Sequence, residues 1–148
     1  MAEGVFEAAT GDGPPGLTEG AERAADVRQA FAGLLQIRRL TGTAPAAWEL
    51  TQTVRAVALA LEAAGLPPSA VDADGTRVAT GYRVRSGEGP GTVCVDWLGP
   101  SGSGAAQEEE SELGRCTDAL VKAGWEALLY RGPRRRRFLE VEPAPGPS

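Results

Sequence analysis

The stretch Val78-Ala79-Thr80-Gly81-Tyr82-Arg83-Val84-Arg85 decides how this chain folds. Val78, Thr80, Tyr82 and Val84 alternate with Ala79, Gly81, Arg83 and Arg85, the period of two expected of a strand with one buried face. Ser86 to Gly91, four of whose six residues are Gly or Pro, reads as a loose hairpin loop. Thr92 to Leu98 is then the return strand, with Val93, Val95 and Trp97 on one face. Before residue 76 the rhythm is different.

Upstream the apolar residues repeat as in helices. Val27, Phe31, Leu34 and Leu35 fall on one stripe of a helix over about 19–40, with Thr18 as N-cap, Glu19 and Glu22 at its positive end and Arg38 and Arg39 at its negative end. Leu50, Val54, Val57, Leu61 and Ala64 step by four and three along a second helix, over about 45–64. It has Pro45 in its first turn and Gly65 as its stop, and Pro67-Pro68 block continuation. The short link between the two makes them antiparallel neighbours. The linker Pro67–Thr76 is a possible boundary.

Downstream, Gly99 to Gly104 is a turn and a third helix runs over about 105–123, with Leu113, Cys116 and Leu120 inward. Two more strands follow, over about 127–131 and 137–142, joined by Gly132-Pro133 and the arginines after it. The fold class is α+β: an N-terminal helical hairpin followed by β-β-α-β-β, with a four-stranded antiparallel sheet and the third helix on one of its faces. Residues 1–18, rich in Gly, Ala, Pro and acid, read as a disordered acidic arm; 19–142 as a single domain; and 143–148 as a disordered tail.

The 148 residues suit one ordinary core, and a net charge of −5 argues against general nucleic-acid binding. The N-terminus lacks a basic segment followed by an apolar one, and no apolar run is long enough to span a bilayer, so elimination points to the cytoplasm. Cys94 and Cys116 do not make a disulfide framework and read as reduced, buried thiols.

The chain has no histidine. That removes imidazole acid–base chemistry, Ser–His and Cys–His pairs, and the commonest metal ligand. Carboxylates, the lone Lys122 or a thiol would have to serve instead, and the spacing converges none of them. No catalytic residue, cofactor or metal is expected, and the chain reads as a non-enzyme. Gly99 to Gly104 lacks the Gly-Lys of a phosphate loop. The run Glu108, Glu109, Glu110 and Glu112 suits the first turns of a helix better than a metal. Asp72-Ala73-Asp74-Gly75 reads as a turn and not a calcium loop.

Two features remain. Arg131, Arg134, Arg135, Arg136 and Arg137 place five guanidinium groups within seven residues at a hairpin tip. They can splay onto phosphates or an acidic partner, guard the sheet edge, or pair internally with Glu140, Glu142 and the Glu108–Glu110 run. The segment Cys116–Pro143, a helix then a hairpin, resembles the back half of a winged-helix domain, which would make the arginines the tip of a wing; the earlier hairpin Val78–Leu98 departs from that pattern. Trp48, Trp97 and Trp125 read as core residues by default; if exposed together they mark a protein interface that Tyr82 and Tyr130 could join, and Trp97, Trp125 and Phe138 are its candidate aromatics. The expectation is a protein-interaction or regulatory module whose partner is another protein, with a nucleic-acid-binding regulator using Arg131–Arg137 as the alternative.

Overall fold

The computed structural model describes residues 7–144. Its elements are helices α1 (Ala21–Thr41), α2 (Ala47–Thr51) and α3 (Thr53–Ala63), strands β1 (Ala70–Val71), β2 (Arg77–Ala79), β3 (Gly81–Ser86) and β4 (Val93–Leu98), helix α4 (Ala105–Lys122), and strands β5 (Trp125–Arg131) and β6 (Arg137–Pro143). The protein is α+β: β3, β4, β6 and β5 lie in that order in a four-stranded antiparallel sheet, and β1 and β2 form a separate two-stranded ribbon. Because β6 lies between β4 and β5, α4 crosses over one intervening strand.

The sheet has one covered face. Tyr82, Val84, Val93, Val95, Trp97, Leu139 and Val141 meet Val57 and Leu61 of α3 and Leu113, Cys116 and Leu120 of α4 in a continuous core. Alternation explains the selection, since these residues share one side of the pleat. α1 packs on α3 rather than on the sheet, through a smaller cluster of Val27, Leu34 and Leu59. Of the first two predicted helices, the second thus contributes α3 to the main core and the first packs behind it.

Several boundaries differ from the sequence reading, each for a local reason. The second helix is broken at Gln52 (φ −127°, ψ 56°), which turns Leu50 out to solvent instead of into the seam. The strand expected over 78–85 is two strands, parted at Thr80. At Gly81 a Cβ would sit 2.2 Å from the Pro67 carbonyl oxygen, so glycine alone lets the chain pass so close. Val78 is consequently exposed while Tyr82 and Val84 are buried. The linker 67–76 contains β1 and a turn in which the Asp72 carboxylate accepts the N–H groups of Asp74 and Thr76. Pro143, expected in the tail, ends β6.

The N-terminal arm is the largest correction. Residues 7–18 are not disordered; they lie against the domain, and residues 1–6 and 145–148 fall outside the described residues. Ala9 is buried, its N–H donates to the Glu62 carboxylate (3.1 Å), and its carbonyl accepts the Tyr82 hydroxyl (2.9 Å). The Val84 N–H donates to the Thr10 carbonyl (2.7 Å), the Val71 N–H to that of Gly13 (3.0 Å), and Arg77 reaches the Gly11 carbonyl and Asp12. Composition alone missed this because the arm has little apolar surface. It is held by backbone hydrogen bonds, which sequence pattern does not display. Among the described residues no helix is long and apolar enough to cross a membrane.

Tyr82→Phe removes the hydroxyl that satisfies the buried Ala9 carbonyl. It is expected to cost about 1–3 kcal/mol in urea unfolding and to speed amide exchange over residues 8–13 more than in β4. Unchanged exchange there would show that the arm is held by other contacts.

Candidate interaction surface

The arginine run and the acidic run answer each other. α4 brings Glu109 under the β5–β6 turn, where its carboxylate is buried (1% exposed). Arg136 donates from Nε to Glu109 Oε2 (2.6 Å) and from Nη2 to the Trp97 carbonyl (2.9 Å), while the Arg137 N–H donates to Glu109 Oε1 (2.6 Å). The Arg137 guanidinium also lies 4.0 Å from both Glu109 and Glu110. Glu108 accepts the Trp97 indole N–H (3.3 Å). Three neighbouring carboxylates thus tie α4 to β4 and β6.

This divides the five arginines. Arg136 and Arg137 are engaged internally; Arg131 and Arg134 are exposed, Arg134 with a left-handed backbone (φ 62°). The Arg135 side chain lies outside the described residues. The hairpin that carries them is not a wing either. β6 is flanked by β4 and β5, so only the turn around Pro133–Arg135 projects.

The predicted interface aromatics also separate. Trp97 and Trp125 are core residues, 3% and 1% exposed, and so are not available to a partner. The Trp125 indole N–H is buried with no acceptor among the described residues. Phe138 is different. It lies on the outer face of the sheet, where its ring stacks on Tyr130 (centroids 5.8 Å apart, planes at 25°) and the Arg85 guanidinium sits 5.7 Å from its centroid.

Among the described residues no element covers that outer face. From β3 and β4 it shows Arg83 and Arg85, both paired with Asp96 (3.0 and 2.8 Å). From β6 and β5 it shows Phe138, Glu140, Glu142, Glu126, Leu128 and Tyr130, which follow from the register Glu126↔Glu142, Leu128↔Glu140 and Tyr130↔Phe138. The two edges of the sheet differ. The β3 edge is occupied: Tyr82 N–H donates to the Pro67 carbonyl (3.0 Å), Ser69 N–H to the Tyr82 carbonyl (2.8 Å), and Val84 N–H to Thr10. Among the described residues no strand lies beside the β5 edge, yet Leu128, Leu129 and Tyr130 on it are 48%, 47% and 42% exposed. Sequence reasoning centred on the aromatics includes Tyr130 but passes over Leu128 and Leu129. The available signal was the run Ala127-Leu128-Leu129-Tyr130, in which alternation fails and one face must carry apolar side chains outward.

The β5 ladder can be phased. Gly132 N–H bonds the Arg136 carbonyl (2.6 Å) and Ala144 N–H the Gly124 carbonyl (3.3 Å), at the two ends of a register that pairs Trp125 with Pro143 and Arg131 with Arg137. Hydrogen-bonded and non-bonded pairs alternate in an antiparallel ladder. The even-numbered residues therefore bond to β6, and Trp125, Ala127, Leu129 and Arg131 turn N–H and C=O toward the open edge.

Other candidate chemistry is sparse. Cys94 and Cys116 are both free and buried, on opposite sides of the sheet, and burial pushes both thiols up, Cys116 to about 12. Among the described residues no group of three His, Cys, Asp or Glu is gathered to hold a metal ion. A cleft of about 530 Å³ between the start of α3 and the β3–β4 turn is lined by Thr51, Thr53, Arg55, Ser86 and Thr92, with Glu7 as its carboxylate. Comparison with protein-family models, curated proteins and solved structures finds no match to this chain.

Glu109→Ala leaves Arg136 and the Arg137 N–H without their buried acceptor and is expected to cost about 3–5 kcal/mol in chemical denaturation. Arg134→Ala, at an exposed turn, should stay within about 0.5 kcal/mol. Equal effects would show that the clamp contributes nothing special. Cys116 gives a pH signature. Its folded thiol keeps its proton up to about 12, whereas an unfolded thiol loses it near the ordinary 9.0. Above about pH 9 the unfolded state therefore binds fewer protons, and stability falls as pH rises through that interval. Burial pushes Tyr82 and Cys94 in the same direction. Cys116→Ala should make the alkaline fall shallower, and an unchanged slope would contradict the assignment.

Proposed function

We propose that the chain is a non-enzymatic protein-interaction module that binds another protein through the outer face of its sheet and the open edge of β5. The observation that carries this reading is the contrast between the two edges. The β3 edge is closed by the arm and by Pro67–Ser69, while β5 runs seven regular residues whose outward backbone groups have no strand partner among the described residues, with Leu128, Leu129 and Tyr130 half exposed. Natural sheets blunt exposed edges with lysine, proline, bulges or covering segments; β5 carries no lysine or bulge, and no segment among the described residues covers it. Such an edge suits strand addition, in which main-chain hydrogen bonds supply affinity and alternate side chains supply selectivity.

The chemistry of the rest agrees. The thiols are buried and protonated, and Arg136 and Arg137 are spent on Glu109 and Glu110, so the arginine turn offers less positive charge than its composition suggests. Glu126, Glu140 and Glu142 on the outer face disfavour a polyanion and are compatible with a protein surface of mixed charge.

A photo-crosslinking amino acid placed at Tyr130 is expected to give discrete protein adducts in the host cell, and the same group at exposed Glu22 on α1 should give none of them. Identical adducts from both positions, or nucleic-acid adducts from Arg134 with none from Tyr130, would refute the reading; the second outcome would support the arginine turn as a nucleic-acid contact.

A further inference from the structure

We infer that β5 pairs with β5 of a second copy of this chain, antiparallel about a two-fold axis at Leu128, which joins the two sheets into one of eight strands. The inference rests on the proposed function, in that it takes the β5 edge as a protein-binding surface and names its occupant.

Geometry narrows the pairing. Two edge strands that extend a sheet about a two-fold axis normal to it keep outer side chains opposite outer and inner opposite inner. The axis must then pass through a residue and not between two. The middle residue of Trp125–Arg131 is Leu128, and an axis there overlaps the strand over its full length. Trp125 then stands opposite Arg131 of the second copy, and Ala127 opposite Leu129. These are the residues whose N–H and C=O already point outward, so every outward backbone group of the strand gains a partner. On the outer face Leu128 meets Leu128, and Glu126 meets Tyr130. A shift of the axis to Leu129 leaves Trp125 unpaired and shortens the ladder.

Charge agrees with this direction. The start of β5 is acidic, with Glu126 and its neighbour Glu142, and its end is basic, with exposed Arg131 and Arg134. An antiparallel second copy sets each acidic end beside a basic one; a parallel arrangement would set like beside like. The apolar side chains that the monomer leaves half exposed lie at the centre of the seam, and the charges lie at its rim, the distribution usual for a protein interface.

The test uses the full chain. Sedimentation equilibrium should return twice the 15.3 kDa chain mass. Ala127→Pro deletes an N–H that points outward and leaves the ladder to β6 intact, so it should give a folded monomer by circular dichroism. Leu128→Cys places two thiols opposite each other across the axis, at a separation a disulfide spans, and mild oxidation should link the copies. Glu126→Cys, which faces Tyr130 of the second copy, should link far less; Cys94 and Cys116 are buried in the background. The inference is overturned by a chain that sediments as a monomer at its highest soluble concentration, by an Ala127→Pro dimer, or by equal linkage at 126 and 128. A monomer that still gives adducts to a different protein from Tyr130 overturns the second-copy inference and leaves the proposed function standing; a monomer with no adducts removes both.

Discussion

A carboxylate taken out of water must bring its own counter-charge, and this fold is organised around three places where that happens. Glu49, Glu62 and Glu109 are all buried, and an arginine grips each. Arg38 donates two hydrogen bonds to Glu49 (2.9 and 2.6 Å), which also accepts the Ala46 N–H and so fixes the entry to α2 against α1. Arg23 donates two to Glu62 (both 2.8 Å), which also takes the Ala9 N–H and draws the N-terminal arm onto α1 and α3. Glu109 does the same for α4, β4 and β6. Each clamp costs desolvation, and its net contribution to stability is small beside the hydrophobic core. What it supplies is position, because a guanidinium bound through two donors, both on the carboxylate at Glu49 and Glu62 and split between Glu109 and the Trp97 carbonyl at Arg136, admits few alternative arrangements.

Those clamps also decide what the surface can do. By committing Arg136 and Arg137 to α4 they reduce the charge available at the β5–β6 turn and shift attention to the sheet itself. Both α3 and α4 cover one face, and α1 lies behind α3, so among the described residues no element is left for the other face or for β5. The arm closes the β3 edge, and nothing equivalent among the described residues closes β5. An interaction surface results from the distribution of covering elements and not from a special motif.

Much of this was legible in the chain. The change from helical spacing to alternation near residue 76 marks the α+β class, both long hairpins and the inward set Val93, Val95, Leu139 and Val141, because the period of a strand is a property of consecutive residues. The turn at Asp72–Gly75 and the stop at Gly65 were equally plain, since turn chemistry is local. The split of the 78–85 strand was not, because it depends on Pro67 passing over Gly81. The exposure of Leu50 depends in turn on the break at Gln52. Trp97 and Trp125 were left between core and interface for a related reason: aromatic character suits both, and burial is settled by what lies opposite.

By itself the sequence determined the α+β class and the order of its long helices and sheet strands, the absence of imidazole chemistry and the coincidence of an acidic and a basic run. Only the tertiary structure decided that those two runs meet at Glu109, that the arm packs against β3, and that β5 is the edge left open. The physical reason is range. Periodicity, capping and turn preference act over a few residues and can be read in one dimension. Ion pairing, edge coverage and burial act between residues that are distant in the chain, and they take their values only once the backbone has brought those residues together.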